Sequence, residues 1–196
     1  MLKKIGIVTV ADAITKGIGY LLLPIYLGLM TQREFGEFSF MFIAISPLSI
    51  LVSLSLHVPF IRNLCSHKSS HAARKELIST VFNSLFIWLI IIDVLFILAK
   101  PLFINAYIGF FDIQGFEGQK YYLIILLLNT GAVLLYCYSL LISRNNTREI
   151  VVFMLVKFIF VSVISLAFMY FNLFGHESVL NRLFGIFIAE LVISLV

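Results

Sequence analysis

Long apolar runs separated by short polar loops dominate the chain. A helix that crosses a bilayer core of about 30 Å needs roughly 20 predominantly apolar residues. The runs lack the two-residue alternation of barrel strands, so the pattern predicts α-helices. We therefore expect an all-α, polytopic transmembrane bundle of about six helices. The predicted spans cover residues 5–30, 38–61, 77–99, 121–143, 150–173 and 182–196.

The connections between these runs are short, and the longest covers residues 100–120. Loops of this length do not fold as separate soluble domains, so residues 1–196 form one membrane domain. The run over 182–196 would rise only about 22 Å as a helix, and no stop signal follows it. We expect this sixth span to be truncated and the natural protein to be longer.

Composition narrows the class of protein. Of the 196 residues, 61% are hydrophobic and 12% are charged, whereas a soluble domain has about 45–50% and about 25%. Two cysteines do not make a disulfide framework, and twenty phenylalanines are incompatible with disorder. The sequence lacks a phosphate-binding G-x-x-x-x-G-K-[ST] loop and a nucleophile–base constellation. We expect neither an enzyme nor a cofactor or metal site.

The net charge of +4 is interpreted as a topology signal, because cytoplasmic loops carry an excess of lysine and arginine. Four basic residues lie on the side opposite the N-terminus, namely Arg33, Lys100, Lys120 and Arg182. Eight lie on the N-terminal side, namely Lys3, Lys4, Arg62, Lys68, Arg74, Lys75, Arg144 and Arg148. The count predicts a cytoplasmic N-terminus and gives no support to nucleic-acid binding.

Span 1 carries an acid and a base at membrane depth. Asp12 and Lys16 are four residues apart, so they share a helix face and can form an ion pair. Thr9, Thr15 and Gly19 widen that polar face beyond what neutralisation requires. Two interpretations remain open: an ion pair that only neutralises two charges, or a polar stripe that lines a water-filled cavity. In the second, Lys16 contacts an anionic head group.

Three further ionisable residues lie inside later spans: Asp93, Lys157 and Glu190. An isolated charge in hydrocarbon must neutralise or find a partner on another helix. We expect Lys157 to pair with either Asp93 or Glu190, as structural glue or in translocation. Histidine titrates near physiological pH, so His57 is either an interfacial residue or a proton-coupling group.

Residues 16–40, KGIGYLLLPIYLGLMTQREFGEFSF, carry the most specific pattern in the chain. The segment resembles the opening of the Wzx-type polysaccharide flippases, a branch of the multidrug/oligosaccharidyl-lipid/polysaccharide exporter superfamily. In that family a glycine-rich first helix leads through Leu-Leu-x-Pro to a loop with an acid, an aromatic residue and a glycine. Pro24 matches the proline, and Phe35 and Gly36 match the loop. Gly36 is then expected to supply a positive-φ turn into span 2.

The resemblance implies a MATE-like transporter of two lobes, of which this chain is the N-terminal lobe. The two lobes enclose a cationic cavity that opens alternately to each side. The implied activity is the flipping of undecaprenyl-pyrophosphate-linked oligosaccharides to the periplasmic leaflet of the bacterial inner membrane, for O-antigen of lipopolysaccharide or for capsule. The implied partners are the lipid-linked oligosaccharide, membrane lipids, and the polysaccharide polymerase and chain-length machinery.

The resemblance also implies functional roles for the ionisable residues inside the spans. The pyrophosphate requires cations in a low-dielectric cavity, and an ion or proton gradient drives the transport. A drug exporter or lipid II flippase of a sister branch, a membrane polysaccharide polymerase and a non-transporting membrane subunit remain alternatives. The candidate cavity cations are Lys16 and Lys157, and the candidate coupling residues are Asp12, His57, Asp93 and Glu190.

Overall fold

The computed structural model describes residues 2–54, 56–66, 71–111, 118–144, 146–173 and 177–195. This part of the chain is helical and contains no strand, which confirms the all-α class. The helices are α1 (Leu2–Leu29), α2 (Gln32–Ser53), α3 (His57–Ser66), α4 (His71–Phe111), α5 (Gln119–Ser143), α6 (Thr147–Phe171) and α7 (Ser178–Leu195).

Among the described residues, five helices are long and apolar enough to cross a membrane. They lie within α1, α4, α5, α6 and α7, and they identify a multi-pass membrane protein. The sixth predicted span starts earlier than expected, because α7 begins at Ser178 rather than at residue 182. The third is longer than expected, because α4 runs from His71 to Phe111.

The prediction of one continuous span over 38–61 is wrong. Helix α2 ends at Ser53, Leu54 takes a left-handed conformation with φ 50°, and α3 begins at His57. Such a break frees backbone carbonyl groups, which are costly at membrane depth unless another group satisfies them. The Trp88 indole N–H donates to the Val52 carbonyl at 3.0 Å, and the Tyr136 hydroxyl donates to the Ser53 carbonyl at 3.3 Å.

The predicted turn around Phe35 and Gly36 is also wrong. Both residues lie inside α2, and Gly36 is not among the described residues with positive φ. The chain reverses at Thr31 instead, where the side chains of Thr31 and Glu34 form a reciprocal capping box. This cap starts the helix before Phe35. Pro24 lies inside α1 rather than at its end.

Helix α5 is the centre of the bundle, and twelve of its residues are buried. Side chains of α2 and α5 meet at two levels: Lys120 binds Glu37, and Tyr136 binds the Ser53 carbonyl. The sequence separation is 83 residues at both levels. The two helices therefore run parallel and in register over about 24 Å.

Helices α6 and α7 approach each other closely at Gly185. A Cβ atom at this position would lie 2.6 Å from the Cα of Ser165, so the approach requires glycine. The Ser165 hydroxyl also lies 3.1 Å from the Tyr26 hydroxyl of α1. Small residues at transmembrane interfaces let backbones come together in this way. Gly185 and Ser165 thus set the spacing of α1, α6 and α7.

Candidate functional site

The outward surface of α1 is divided into a lipid-compatible face and a polar edge. Ile7 and Ile25 are exposed, and each is nine residues from Lys16, which places them about 180° around the helix from it. Thr15 is partly buried, and Ala11 is buried against the bundle. The apolar face can contact acyl chains, whereas Lys16 projects from the opposite side.

Lys16 and Asp12 form an ion pair on this polar edge. The Lys16 Nζ atom lies 2.6 Å from Asp12 Oδ2, and 71% of the lysine side chain remains exposed. Lys16 lies ten residues into the apolar segment that begins at Gly6, a depth of about 15 Å. Charged side chains at such depths face a protein interior or a wet cavity rather than lipid. Tyr20 and Leu27, which lie on the same side of α1 as Lys16, are also exposed, so the ion pair shares its face with apolar side chains.

A groove of about 340 Å³ separates α1 from α6 beside this polar edge. Thr15, the residue before Lys16, contributes one wall, and Lys157 and Ser162 contribute to the other. The structure thus brings one candidate cavity cation, Lys157, into the groove, whereas Lys16 follows the wall residue Thr15 in sequence and does not itself line the groove.

Lys157 pairs with Glu190 of α7, with 3.1 Å between its Nζ atom and Glu190 Oε1. The other oxygen of Glu190 accepts a hydrogen bond of 3.1 Å from Thr130 of α5. This choice resolves the two pairings that the sequence left open. The ion pair joins α6 to α7, and Lys157 alone of the two residues lines the groove.

Asp93 forms no ion pair with Lys16 or Lys157 and makes its contact with α5. Both of its carboxylate oxygens accept from the Asn129 side-chain amide at 2.9 Å. Within the described residues Asp93 has no basic partner. The carbonyl oxygen of Asn129 is buried without a described hydrogen-bond partner. Asp93 and Asn129 therefore form a separate polar contact between α4 and α5.

His57 is the first residue of α3 and follows directly on the helix break. Its Nδ1 atom is buried without a hydrogen-bond partner among the described groups. His57 does not line the groove between α1 and α6. Within the described residues, His57 forms no ion pair with Glu190, which pairs with Lys157 instead.

The sequence did not predict a polar cluster at one end of the bundle, which we call the Lys120 end. It comprises Thr31, Glu34, Glu37, Lys120, Glu177 and Arg182. Lys120 of α5 lies 2.9 Å from Glu37 of α2 and 3.5 Å from Glu177. The side chains of Lys120 and Glu37 are only 10% and 12% exposed. These residues appear in the sequence as ordinary loop charges, because nothing local indicates a partner 83 residues away.

Arg182 at this end has two aromatic partners. Its guanidinium carbon lies 3.7 Å from the ring centroids of both Tyr26 and Phe38. One of its terminal N–H groups contacts the sulfur of Met30 at 3.6 Å. A planar guanidinium stacks on aromatic faces in a way that a lysine ammonium does not. Arg182 thus joins α7 to α1 and α2.

No protein-family model, curated protein or solved structure matches this chain significantly.

Proposed function

We propose that this chain forms one lobe of a MATE-like flippase of the bacterial inner membrane. Its cargo is an undecaprenyl-pyrophosphate-linked oligosaccharide that moves to the periplasmic leaflet during O-antigen or capsule synthesis. The observation that supports this proposal is the position of Lys157 in the wall of the groove between α1 and α6, opposite Thr15, the residue that precedes Lys16. The similarity of residues 16–40 to the flippases supports the substrate class.

The electrostatics of the groove suit an anionic head group. The Lys16 side chain is mostly exposed despite its ion pair with Asp12. Its ammonium group can therefore contact an anion while α1 stays in place. Lys157 lines the groove while Glu190 holds it from behind. Each lysine is paired with a carboxylate, so a pyrophosphate binds these ammonium groups in competition with Asp12 and Glu190.

The proposed orientation determines which side of the membrane each end of the bundle faces. The end that carries Arg74 and Arg144 faces the cytoplasm under the positive-inside rule, and the Lys120 end faces the periplasm. The described residues that bind protons or ions during coupling are then Asp12, Asp93 and Glu190 inside the spans, with His57 at the helix break.

The test uses the intact protein in a cell whose surface polysaccharide depends on it. K16A and K157A are expected to abolish or strongly reduce surface polysaccharide, because the pyrophosphate loses its cations. K16R and K157R, which keep the charges, should retain it. R148A is the matched control, because Arg148 is an exposed cation outside the groove. Surface polysaccharide and protein abundance are measured together.

Two outcomes would contradict the proposal. Normal surface polysaccharide in both K16A and K157A would show that the two lysines are not needed to bind the pyrophosphate. Reduced abundance in step with reduced polysaccharide would assign the lysines to folding. The D12N/K16M variant removes the ion pair without a change in net charge, so it separates the loss of the pair from the loss of net charge. A drug exporter of the same architecture would instead leave the polysaccharide unchanged and alter drug sensitivity.

A further inference from the structure

A second cavity lies beside the break between α2 and α3, on other helices than the groove. Its volume is about 490 Å³, and its walls come from α2, α3, α4 and α5. Three aromatic residues, Phe60, Trp88 and Tyr136, contribute to its lining. Binding sites for small molecules commonly have this size and are mostly apolar with a few polar groups. The cavity shares no lining residue with the groove between α1 and α6.

The described residues that line this cavity carry no charge. Its polar members are hydroxyl and amide side chains, namely Ser53, Asn63, Thr80, Ser84 and Tyr136. A charged ligand would have to leave water for this site without a counter-ion, which costs several kcal/mol. The cavity therefore selects against phosphates, carboxylates and ammonium groups.

Two of these hydroxyl groups are available to a ligand. Elsewhere in the bundle, Thr130, Ser139 and Ser165 donate back to carbonyl groups of their own helices. Thr80 and Ser84 make no such bond, and within the described residues they have no other partner. They lie four residues apart on α4, so both present their hydroxyls on one face.

The helix break itself does not need a ligand. Trp88 and Tyr136 already satisfy the Val52 and Ser53 carbonyl groups. Their rings, and that of Phe60, remain as walls of the cavity. The lining therefore presents two exposed hydroxyls of α4 without a described partner, beside Trp88 on the same helix and with the rings of Phe60 and Tyr136 from α3 and α5.

We propose that this cavity binds an uncharged, hydroxylated amphiphile, with its hydroxyl groups on Thr80 and Ser84 and its apolar part against the aromatic wall. The simplest probe of this chemistry is an alkyl glucoside. The site is independent of the proposed flippase activity, because it uses none of the lysines of the groove.

The chain offers a specific reporter for the test, since Trp88 is its only tryptophan. The full chain in phosphatidylcholine nanodiscs is titrated with octyl glucoside below its micellar concentration, and tryptophan emission is recorded. A saturable change is expected. T80V/S84A should weaken the apparent affinity about tenfold, because the ligand loses two hydrogen bonds. Circular dichroism verifies that the variant keeps its helices.

The matched control is S79A/N83A. Ser79 and Asn83 are exposed polar residues of the same helix segment that do not line the cavity. This variant should bind like the wild type. Equal saturation by octyl sulfate, which has the same chain and an anionic head, would overturn the selection for an uncharged ligand. Unchanged affinity in T80V/S84A would overturn the site. So would quenching of Trp88 emission by brominated acyl chains if octyl glucoside does not relieve that quenching.

Discussion

The two ends of the bundle neutralise their charges in opposite ways. At the Lys120 end, Lys120 lies 2.9 Å from Glu37 on a different helix, and both side chains are almost buried. At the opposite end, Arg144 lies 3.9 Å from Glu149 across a short turn, and 63% of the arginine side chain is exposed. We call this second region the Arg144 end. A buried pair depends on its partner, whereas an exposed pair can exchange its partner for water.

This difference affects how the number of basic residues on each side of the membrane is interpreted. Lys120 and Arg182 enter the positive-inside comparison as loop cations, yet each is engaged in packing between helices. Arg144 and Arg148 remain exposed and available to a membrane surface. Among the cations whose side chains the structure describes, four are exposed on the N-terminal side and one on the other, namely Arg62, Lys75, Arg144 and Arg148 against Arg33. The Lys120 end is the part that holds α1, α2, α5 and α7 together.

The largest expected effect comes from breaking the buried pair. K120M leaves Glu37 without its cation in a nearly buried position, and it should lower the free energy of unfolding by about 3–5 kcal/mol. R144M at the exposed end is the matched control and should cost about 0–1 kcal/mol. Unfolding of the two variants in mixed micelles measures both values. Equal losses would abolish the distinction between the two ends.

Arg182 is expected to give an intermediate effect. R182M removes a cation that is stacked between Tyr26 and Phe38, and a desolvated cation–π contact is worth about 2 kcal/mol. The Nε–H group of Arg182 is buried without a described acceptor. The cost of this unsatisfied donor offsets part of the stabilisation from the cation–π contacts. We expect a decrease of about 1–2 kcal/mol in unfolding free energy. R182K should not restore it, and full recovery by lysine would argue against the stacking.

The smallest effect is expected at the cap of α2. T31A removes one side of the capping box and should cost about 1 kcal/mol. Burial alone would raise the pKa of Glu34, but hydrogen bonds from Thr31 and Ser178 lower the pKa below its ordinary value of 4.5. A lowered folded-state pKa gives stability that is present above the unfolded pKa and is lost as pH falls through the folded one.

The pH dependence provides the check on this assignment. Wild-type stability should decrease as the pH falls below about 4.5, and E34Q should show a smaller decrease over that interval because its side chain does not titrate. The measurement is unfolding free energy against pH in both proteins. An identical slope in wild type and E34Q would show that Glu34 is not responsible.

The capping box shows that the sequence contained a local signal for the start of α2. The family resemblance outweighed this signal in the prediction. Thr31 and Glu34 match the T-x-x-E signature of a helix start, and this signature correctly places the beginning of α2. The resemblance to a family loop suggested a turn at Gly36 instead. The hydrogen bonds of Thr31 and Glu34 are complete within four residues, so the local signal was sufficient.

The break after Ser53 had a weaker local signal. Leu54 lies between Ser53 and Ser55, and Pro59 follows in the first turn of α3, a position where proline is tolerated. The break is tolerated because Trp88 and Tyr136, from two other helices, satisfy the exposed carbonyl groups. For the same reason the cavity with Thr80 and Ser84 was not predicted, since its walls come from four separate helices.

The sequence by itself determined that this is an all-helical, multi-pass membrane protein, because apolar run length and backbone hydrogen bonding within a bilayer are local requirements. It also determined the pairing of Asp12 with Lys16, which is one helical turn long. Only the tertiary structure decided that Lys157 pairs with Glu190 rather than Asp93, and that Lys120 is a buried partner of Glu37. Those choices depend on which helices lie side by side, and that arrangement is set by packing at positions such as Gly185 rather than by any local pattern.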